Sequence, residues 1–113
     1  MKSLRNSVHL IGNLGMDPEV KDVANGHKMA RFSLATSDTY TNQKGEKVTE
    51  TQWHNLVIWG KLAEVAGQYL KKGRQIAVEG RLETNAFDDK KGNRKYYTQI
   101  VVNDLLMLDG KAN

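Results

Sequence analysis

The sequence has 113 residues and a mass of 12.7 kDa, which favours one domain with a single modest core. Its composition, 39% hydrophobic and 27% charged, is typical of globular proteins and unlike that of disordered or membrane proteins. The absence of cysteine excludes disulfides, thiolate zinc sites and cysteine nucleophiles. A formal net charge of +4 suits a polyanionic partner without requiring one. The apolar positions after residues 1–6 are too few for a signal peptide or a membrane span, so a cytoplasmic protein without a membrane partner is expected.

The first half of the chain predicts two long strands and one short extended run. The first strand is expected over residues 7–13, where apolar and polar residues alternate. The short run over residues 19–23 leads into Asn25-Gly26, a dipeptide typical of a two-residue hairpin turn. A long strand is expected over residues 28–39, and the polar stretch at residues 40–48 is predicted to be an extended hairpin loop.

Residues 50–59 predict the most informative strand, because both of its faces carry large apolar side chains. One face holds Trp53, Asn55, Val57 and Trp59, and the other holds His54, Leu56 and Ile58. An isolated tryptophan is more often a core residue, but Leu56 and Ile58 already supply an inward face here. The pattern therefore favours a strand whose two tryptophans face a ligand.

The second half predicts the only helix and two more strands. Helical spacing over residues 61–71 places Leu62, Val65, Ala66 and Tyr69 on one stripe, and Gly73 ends the helix. Strands follow over residues 76–83 and 96–103, joined by a loop at residues 88–95. The order of three strands, one helix and two strands predicts an all-β, five-stranded OB-fold barrel with its helix between strands 3 and 4. We expect the domain to cover residues 1–108, with residues 109–113 as a short C-terminal remnant.

The sequence shows no pattern typical of catalysis or metal binding. Its three histidines are far apart and have no carboxylate at metal-ligand spacing. Asp88-Asp89 lies in a predicted solvated loop, and Gly60-Lys61 lacks the other residues of a phosphate-binding loop. An OB-fold nuclease would need clustered acids and an arginine around a metal. Neither an enzyme nor a cofactor is therefore expected.

Aromatic and basic residues carry the binding signal. Aromatic faces suit single strands because unpaired bases stack on them with little regard to sequence. Candidates occur at Tyr40, Trp53, Trp59 and Phe87. For Tyr40 and Phe87 the pattern leaves open whether the ring stacks on a ligand or pins its own loop. The basic clusters, which are either solvated surface or a track for a phosphate backbone, are Lys71, Lys72 and Arg74, and Lys90, Lys91, Arg94 and Lys95.

Several motifs occur in order between residues 4 and 108. They are NSVHLIGNLG at residues 6–15, DPE at 17–19, LATS at 34–37, WHNLVIWGKLAE at 53–64, YLKKG at 69–73, VEGRL at 78–82 and VVN at 101–103. In these motifs the sequence resembles the bacterial single-stranded-DNA-binding proteins. The resemblance implies a homotetrameric OB domain around which single-stranded DNA wraps, largely independently of sequence, in replication, recombination and repair.

The resemblance also implies roles for particular residues. It makes Tyr40, Trp53, Trp59 and Phe87 stacking residues, Lys61 and Lys72 phosphate contacts, and His54 a buried interface residue. Val8 and Leu10, on one of the two apolar faces of the first strand, fit a further subunit interface.

Three departures from the family pattern shape these expectations. Tyr40 and Phe87 stand where typical members have tryptophan. Asn55, Glu83, Asn85 and Ala86 stand where well-known members have basic residues, a loss that Lys28, Arg31 and the cluster at residues 90–95 would offset. The sequence ends at Asn113, before the family's linker and acidic tip, which fits either a trimmed or a naturally tailless chain; partners recruited by that tip are not expected. The alternative function is a related primosomal OB module that acts mainly through protein contacts.

Overall fold

A computed structural model describes residues 4–23 and 26–108. Its elements are β1 (Val8–Leu14), β2 (Glu19–Asp22), β3 (Lys28–Thr41), β4 (Lys47–Trp59), α1 (Lys61–Tyr69), β5 (Gln75–Asp88) and β6 (Arg94–Met107). The predicted five-stranded barrel with one helix is confirmed. The short run at Glu19–Asp22 is a further strand, paired with β3, so the helix follows the fourth strand in chain order.

The barrel closes because β1 pairs with both β5 and β3, while β6 joins β5 to β4. The β4–β6 pairing is parallel, with Leu56 opposite Ile100 and Val57 opposite Val101. Gly12 permits the closure, since a Cβ at this position would collide with the carbonyl oxygen of Ala35 on β3. The ring of pairings leaves the long strands few free edges.

The hydrophobic core fills the barrel and the space beneath the helix. Its largest fully buried side chains are Leu34, Leu56, Ile58 and Ile76. The helix contributes Ala63, Ala66 and Leu70, whereas Val65 and Tyr69 are exposed, so the predicted stripe was wrong at these two positions. The helix presents small side chains to β3 because it packs close to the barrel. The helix ends at Tyr69, two residues before the predicted end.

Two hairpins extend beyond the barrel, which corrects the loop predicted at residues 40–48. The strands continue to Thr41 and resume at Lys47, and the Asn42 side-chain oxygen accepts the N–H groups of Lys44 and Glu46 at 2.9 Å each. We call residues 37–51 the β3–β4 arm. Its polar strands are joined by threonine and serine hydroxyl pairs that alternation alone does not reveal. The radius of gyration is 16.4 Å, whereas a compact domain of this length has about 13 Å, so the arms stand away from the barrel.

The loop predicted at residues 88–95 is likewise shorter, because β5 reaches Asp88 and β6 begins at Arg94. Asn25 of the predicted hairpin turn, and the proposed remnant at residues 109–113, lie outside the described residues. Within residues 4–23 and 26–108, no helix is long and apolar enough to cross a membrane.

Candidate nucleic-acid interface

The outer face is the barrel surface formed by Trp53, Asn55, Val57 and Trp59 of β4 together with their register partners on the neighbouring strands. Trp53 is 62% exposed and Trp59 is 50% exposed. Leu56 and Ile58, on the other side of β4, are buried in the core. The structure therefore places both indoles on the surface, as the two-faced pattern predicts.

Trp53 rests on the backbone of Gly15, at the end of β1. A Cβ at Gly15 would lie 2.7 Å from Oγ of Ser33 and 2.8 Å from Cη2 of Trp53. Real Cβ atoms do not approach other atoms so closely, so only glycine leaves room for the ring here. Gly15 thus fixes how the indole lies against the barrel.

A second aromatic pair lies on β5 and β6. The Phe87 and Tyr97 rings have centroids 6.0 Å apart and an interplanar angle of 54°, a tilted contact. Strand register puts both on the outer face, since Tyr97 is four residues before Val101 just as Trp53 is four before Val57. Sequence reasoning missed Tyr97, which is 45% exposed, although its alternation with Val101 was a usable signal.

Tyr40 does not join this group. It pairs with Val48 on the β3–β4 arm, in an unbroken register that gives Tyr40 the opposite pleat face from Trp53. The ring is 46% exposed. Of the four predicted stacking residues, Trp53, Trp59 and Phe87 share the outer face and Tyr40 does not.

Two arginines mark the ends of one transverse row on the outer face. The arginine row runs in register across four strands as Arg31, Val57, Val101 and Arg81. Both valines are buried, and both arginines are exposed. Arg31 was predicted, whereas Arg81 was missed because only the cross-strand register reveals that it lies level with Arg31.

The other predicted cations lie outside the arginine row, and two of them, Lys28 and Lys61, line one recess together with Glu64. Lys28 forms an ion pair with Asp22 at 2.7 Å; the hydrogen bond and the carboxylate's charge raise the pKa of Lys28. Lys61 begins the helix, and Lys72 lies in a turn where its backbone N–H donates to Asp17 Oδ1 at 2.8 Å. The β5–β6 tip carries Lys90, Lys91 and, at the start of β6, Arg94. None of these residues belongs to the arginine row itself.

A polar cluster of Glu83, Asn85 and Gln99 lies between the arginine row and the Phe87–Tyr97 pair. Glu83 Oε1 accepts hydrogen bonds from the Asn85 side-chain amide at 3.0 Å and from the Gln99 amide at 2.9 Å. Because both bonds favour the ionised form, the pKa of Glu83 is lowered. The outer face thus contains a fixed carboxylate as well as cations.

The predicted interface residues lie elsewhere. His54 Nε2 and Thr36 Oγ1 are hydrogen-bonded at 2.9 Å, and His54 is half-buried. Val8 and Leu10 pack against the protein's own core. Beside them, an open apolar groove of about 530 Å³ runs between β1, β5 and β6 and includes Ile11 and Leu106, which are 60% and 64% exposed.

Among the described residues, no group of three or more histidines and carboxylates could hold a metal ion. The outer face brings together aromatic rings, two arginines and a carboxylate.

The comparisons with known proteins agree with this geometry. The family model for the single-strand binding protein family matches residues 5–108. Single-stranded DNA-binding protein 1 of Chlorobaculum tepidum is 50% identical over 107 residues, covering 94% of this chain and 66% of that protein. The single-stranded DNA-binding protein of Neisseria meningitidis serogroup A is 45% identical over 106 residues, covering 94% of this chain and 61% of that protein. This chain thus spans less than two thirds of the length of these curated relatives.

A solved structure described as the Plasmodium falciparum SSB complex with ssDNA has a TM-score of 0.86 and 34% sequence identity. The alignment covers 96% of this chain and 98% of that chain. The likeness therefore extends over the whole barrel.

Proposed function

This chain belongs to the single-strand binding protein family, and we propose that it binds and protects single-stranded DNA in replication, recombination and repair. Bases stack on the outer-face aromatics while the arginine row contacts phosphates. The single observation that carries this proposal is the exposure of Trp53 and Trp59 on one face of a strand whose other face is core. Large exposed indoles are otherwise unfavourable in water, and an unpaired base covers such a ring without needing a particular sequence.

Cations of the outer face complete the proposed site. Arg31 and Arg81 lie at opposite ends of one row, so a DNA strand that runs along the row meets positive charge at two points. Lys61, Lys72, Lys28, Lys90, Lys91 and Arg94 would extend the path around the barrel and along the β5–β6 tip. Lys28 is the weakest of these candidates, because Asp22 already neutralises its ammonium group.

Tryptophan fluorescence tests this function. Oligo(dT) should quench the emission, whereas double-stranded DNA should quench it weakly, and neither response should require a metal ion. Equal or weak responses to both DNAs would favour the alternative, an OB module that acts through protein contacts. Strand cleavage on addition of a divalent metal would instead indicate a nuclease.

We also propose that the chain assembles as a homotetramer, in the cytoplasm and close to the nucleoid. The apolar groove supports this proposal, since Ile11 and Leu106 gain little by facing water. His54, with its side chain directed away from the outer face, is the proposed contact of a second interface. Leu10 lines the groove, and both Val8 and Leu10 pack against the core.

Light scattering at micromolar concentration tests the assembly. The expected mass is about four times 12.7 kDa. His54→Lys should lower the mass, because it places an unpaired charge in the subunit contact. A stable monomer of the unmodified chain would contradict the proposal.

A further inference from the structure

The outer face continues beyond Trp53 along one side of the β3–β4 arm. Successive residues of a strand point to opposite faces, and directly paired residues point to the same face. The pairs that follow Trp53 outward on its own side are Ser37 with Thr51, Thr39 with Thr49, and Thr41 with Lys47. All six of these residues are exposed. We call this surface the hydroxyl face, since five of its six side chains carry a hydroxyl group and the sixth carries a positive charge.

The other side of the arm has a different chemistry. Asp38 lies directly opposite Glu50, next to the pair of Tyr40 with Val48. Like charges placed directly opposite each other destabilise a strand pair, and both carboxylates repel a phosphate backbone. The two acids within the paired strands of the arm therefore both point away from the hydroxyl face. The arm thus offers a phosphate backbone one compatible side and one repulsive side.

Each hydroxyl pair leaves one hydrogen available to a ligand. Ser37 Oγ and Thr51 Oγ1 lie 3.2 Å apart, and Thr39 Oγ1 and Thr49 Oγ1 lie 3.1 Å apart. A hydroxyl group carries one hydrogen, so the bond within a pair uses one of the two hydrogens, whichever oxygen donates. Within residues 4–23 and 26–108, the structure records no other hydrogen bond for these four hydroxyl groups.

Phosphate oxygens are acceptors, and serine and threonine hydroxyl groups are among the donors that bind them in protein–DNA complexes. We propose that the hydroxyl face carries the sugar–phosphate backbone of bound single-stranded DNA from Trp53 outward to Lys47. These two positions are six residues apart on β4, which corresponds to about 20 Å of strand. The inference rests on the proposed function and adds to it a backbone track made mostly of neutral donors.

Removing one hydroxyl pair from this face tests the track. Thr39→Val with Thr49→Val keeps two β-branched side chains, so the preference of the arm for strand structure is preserved. Long oligo(dT) should bind roughly two- to tenfold more weakly, which corresponds to the net value of one hydrogen bond. The salt dependence of binding should not change, because a neutral donor releases no counterion from the DNA.

The β5–β6 arm provides a matched control. Thr84 Oγ1 and Thr98 Oγ1 form the same kind of pair at 3.0 Å. They alternate with Glu83 and Gln99 and so lie on the side of the sheet opposite the outer face. Thr84→Val with Thr98→Val should therefore leave the affinity for oligo(dT) unchanged. Thermal melts verify that both double variants are folded.

Two charge variants determine which side of the arm the DNA follows. Lys47→Gln should weaken binding and flatten the plot of log affinity against log salt by about 0.7, the value for one neutralised phosphate on a single strand. Glu50→Gln removes a negative charge from the other side and should leave the affinity nearly unchanged, because the backbone does not pass over this carboxylate.

Three outcomes would overturn the inference. Thr39→Val with Thr49→Val could leave the affinity unchanged, the control pair on the β5–β6 arm could cost as much, or Glu50→Gln could strengthen binding as much as Lys47→Gln weakens it. Failure of the unmodified chain to bind oligo(dT) would be a different result, since it would overturn the proposed function itself.

Discussion

Trp53 and Tyr40 are both exposed aromatic residues on the β3–β4 hairpin, but they differ in what lies beneath them. The Trp53 indole rests on Gly15, on the wall of the barrel, where β1 and β3 approach closely. Tyr40 lies on the β3–β4 arm, where only the partner strand holds the backbone and both pleat faces meet water. One ring is fixed by the barrel and the other is carried by a two-stranded ribbon.

In the proposed mode of binding, this difference would determine how much of the stacking energy appears as affinity. A ring that is already immobilised loses little side-chain freedom when a base stacks on it, whereas a ring on a ribbon must be ordered at that moment. The structure places three of the predicted stacking residues on the outer face and Tyr40 on the arm, so we expect the first group to act as fixed platforms and Tyr40 as an adaptable contact. Alanine substitution of one ring in each region tests whether the two kinds of ring differ in their contribution to affinity.

The largest difference is expected between Trp53→Ala and Tyr40→Ala. Loss of a base stack costs about 1–3 kcal/mol, and we expect Trp53→Ala to fall within this range and Tyr40→Ala below it. Anisotropy titrations with labelled oligo(dT) measure both values, and thermal melts verify that each variant is folded. Equal losses at the two sites would show that support by the barrel does not matter.

Gly15→Ala should sharpen the comparison without removing any aromatic ring. The added methyl group would collide with the Trp53 indole and with Ser33, so the ring must tilt away from its resting place. We expect a loss of affinity for oligo(dT) of about 1 kcal/mol, below the loss from Trp53→Ala, because a displaced ring still stacks in part.

The matched control for this variant is Gly45→Ala, at the tip of the β3–β4 arm. Gly45 has a positive φ of 80° and open space around it. The alanine therefore strains only the turn and should leave DNA affinity nearly unchanged. A double variant, Gly15→Ala with Trp53→Ala, should bind no worse than Trp53→Ala alone; an additive loss would mean that Gly15 acts through something other than the ring.

The smallest effect concerns salt dependence at the barrel and at the β5–β6 tip. For single strands, log affinity changes with log salt by about 0.7 per neutralised phosphate. Arg31→Gln and Arg81→Gln should each flatten the slope by about this amount, since both arginines lie on strands of the barrel wall. Changing Lys90, Lys91, Arg94 and Lys95 together to Gln should flatten it by less per residue, because these side chains lie at or near the end of an arm. A slope unaffected by either arginine would remove the arginine row from the site.

The sequence was sufficient for the barrel class, for the helix that begins at Lys61 and for the exposure of Trp53, because these depend on local periodicity and on the order of the elements. Leu56 and Ile58 already filled the inward side of their strand, which forced the tryptophans outward. The contact between Gly15 and Trp53 could not be predicted, since it depends on where β1 closes against β3. The Glu83–Gln99 hydrogen bond likewise joins residues 16 positions apart, and only the register of β5 and β6 brings them together.

The strand ends at residues 40–41 and 47–48 of the β3–β4 arm were predicted as loop for a related reason. Alternation of apolar and polar residues cannot identify a strand where neither face is buried. The hydroxyl pairs that join the two strands can be recognised only once the register is known. The exposure of Val65 and Tyr69 could not be predicted for a similar reason. Helical spacing identifies which residues share one side of the helix, but not how closely a short helix approaches its sheet.

The central claim is that bases stack directly on the tryptophans of the outer face, and single-tryptophan proteins test it most directly. The chain has only two tryptophans, so Trp59→Phe leaves Trp53 as the sole reporter and Trp53→Phe leaves Trp59. In each protein, oligo(dT) should quench the remaining tryptophan emission in proportion to the fraction of DNA bound, as measured independently by anisotropy. Full binding with no change in emission from either protein would show that the bases stack elsewhere and would contradict the account.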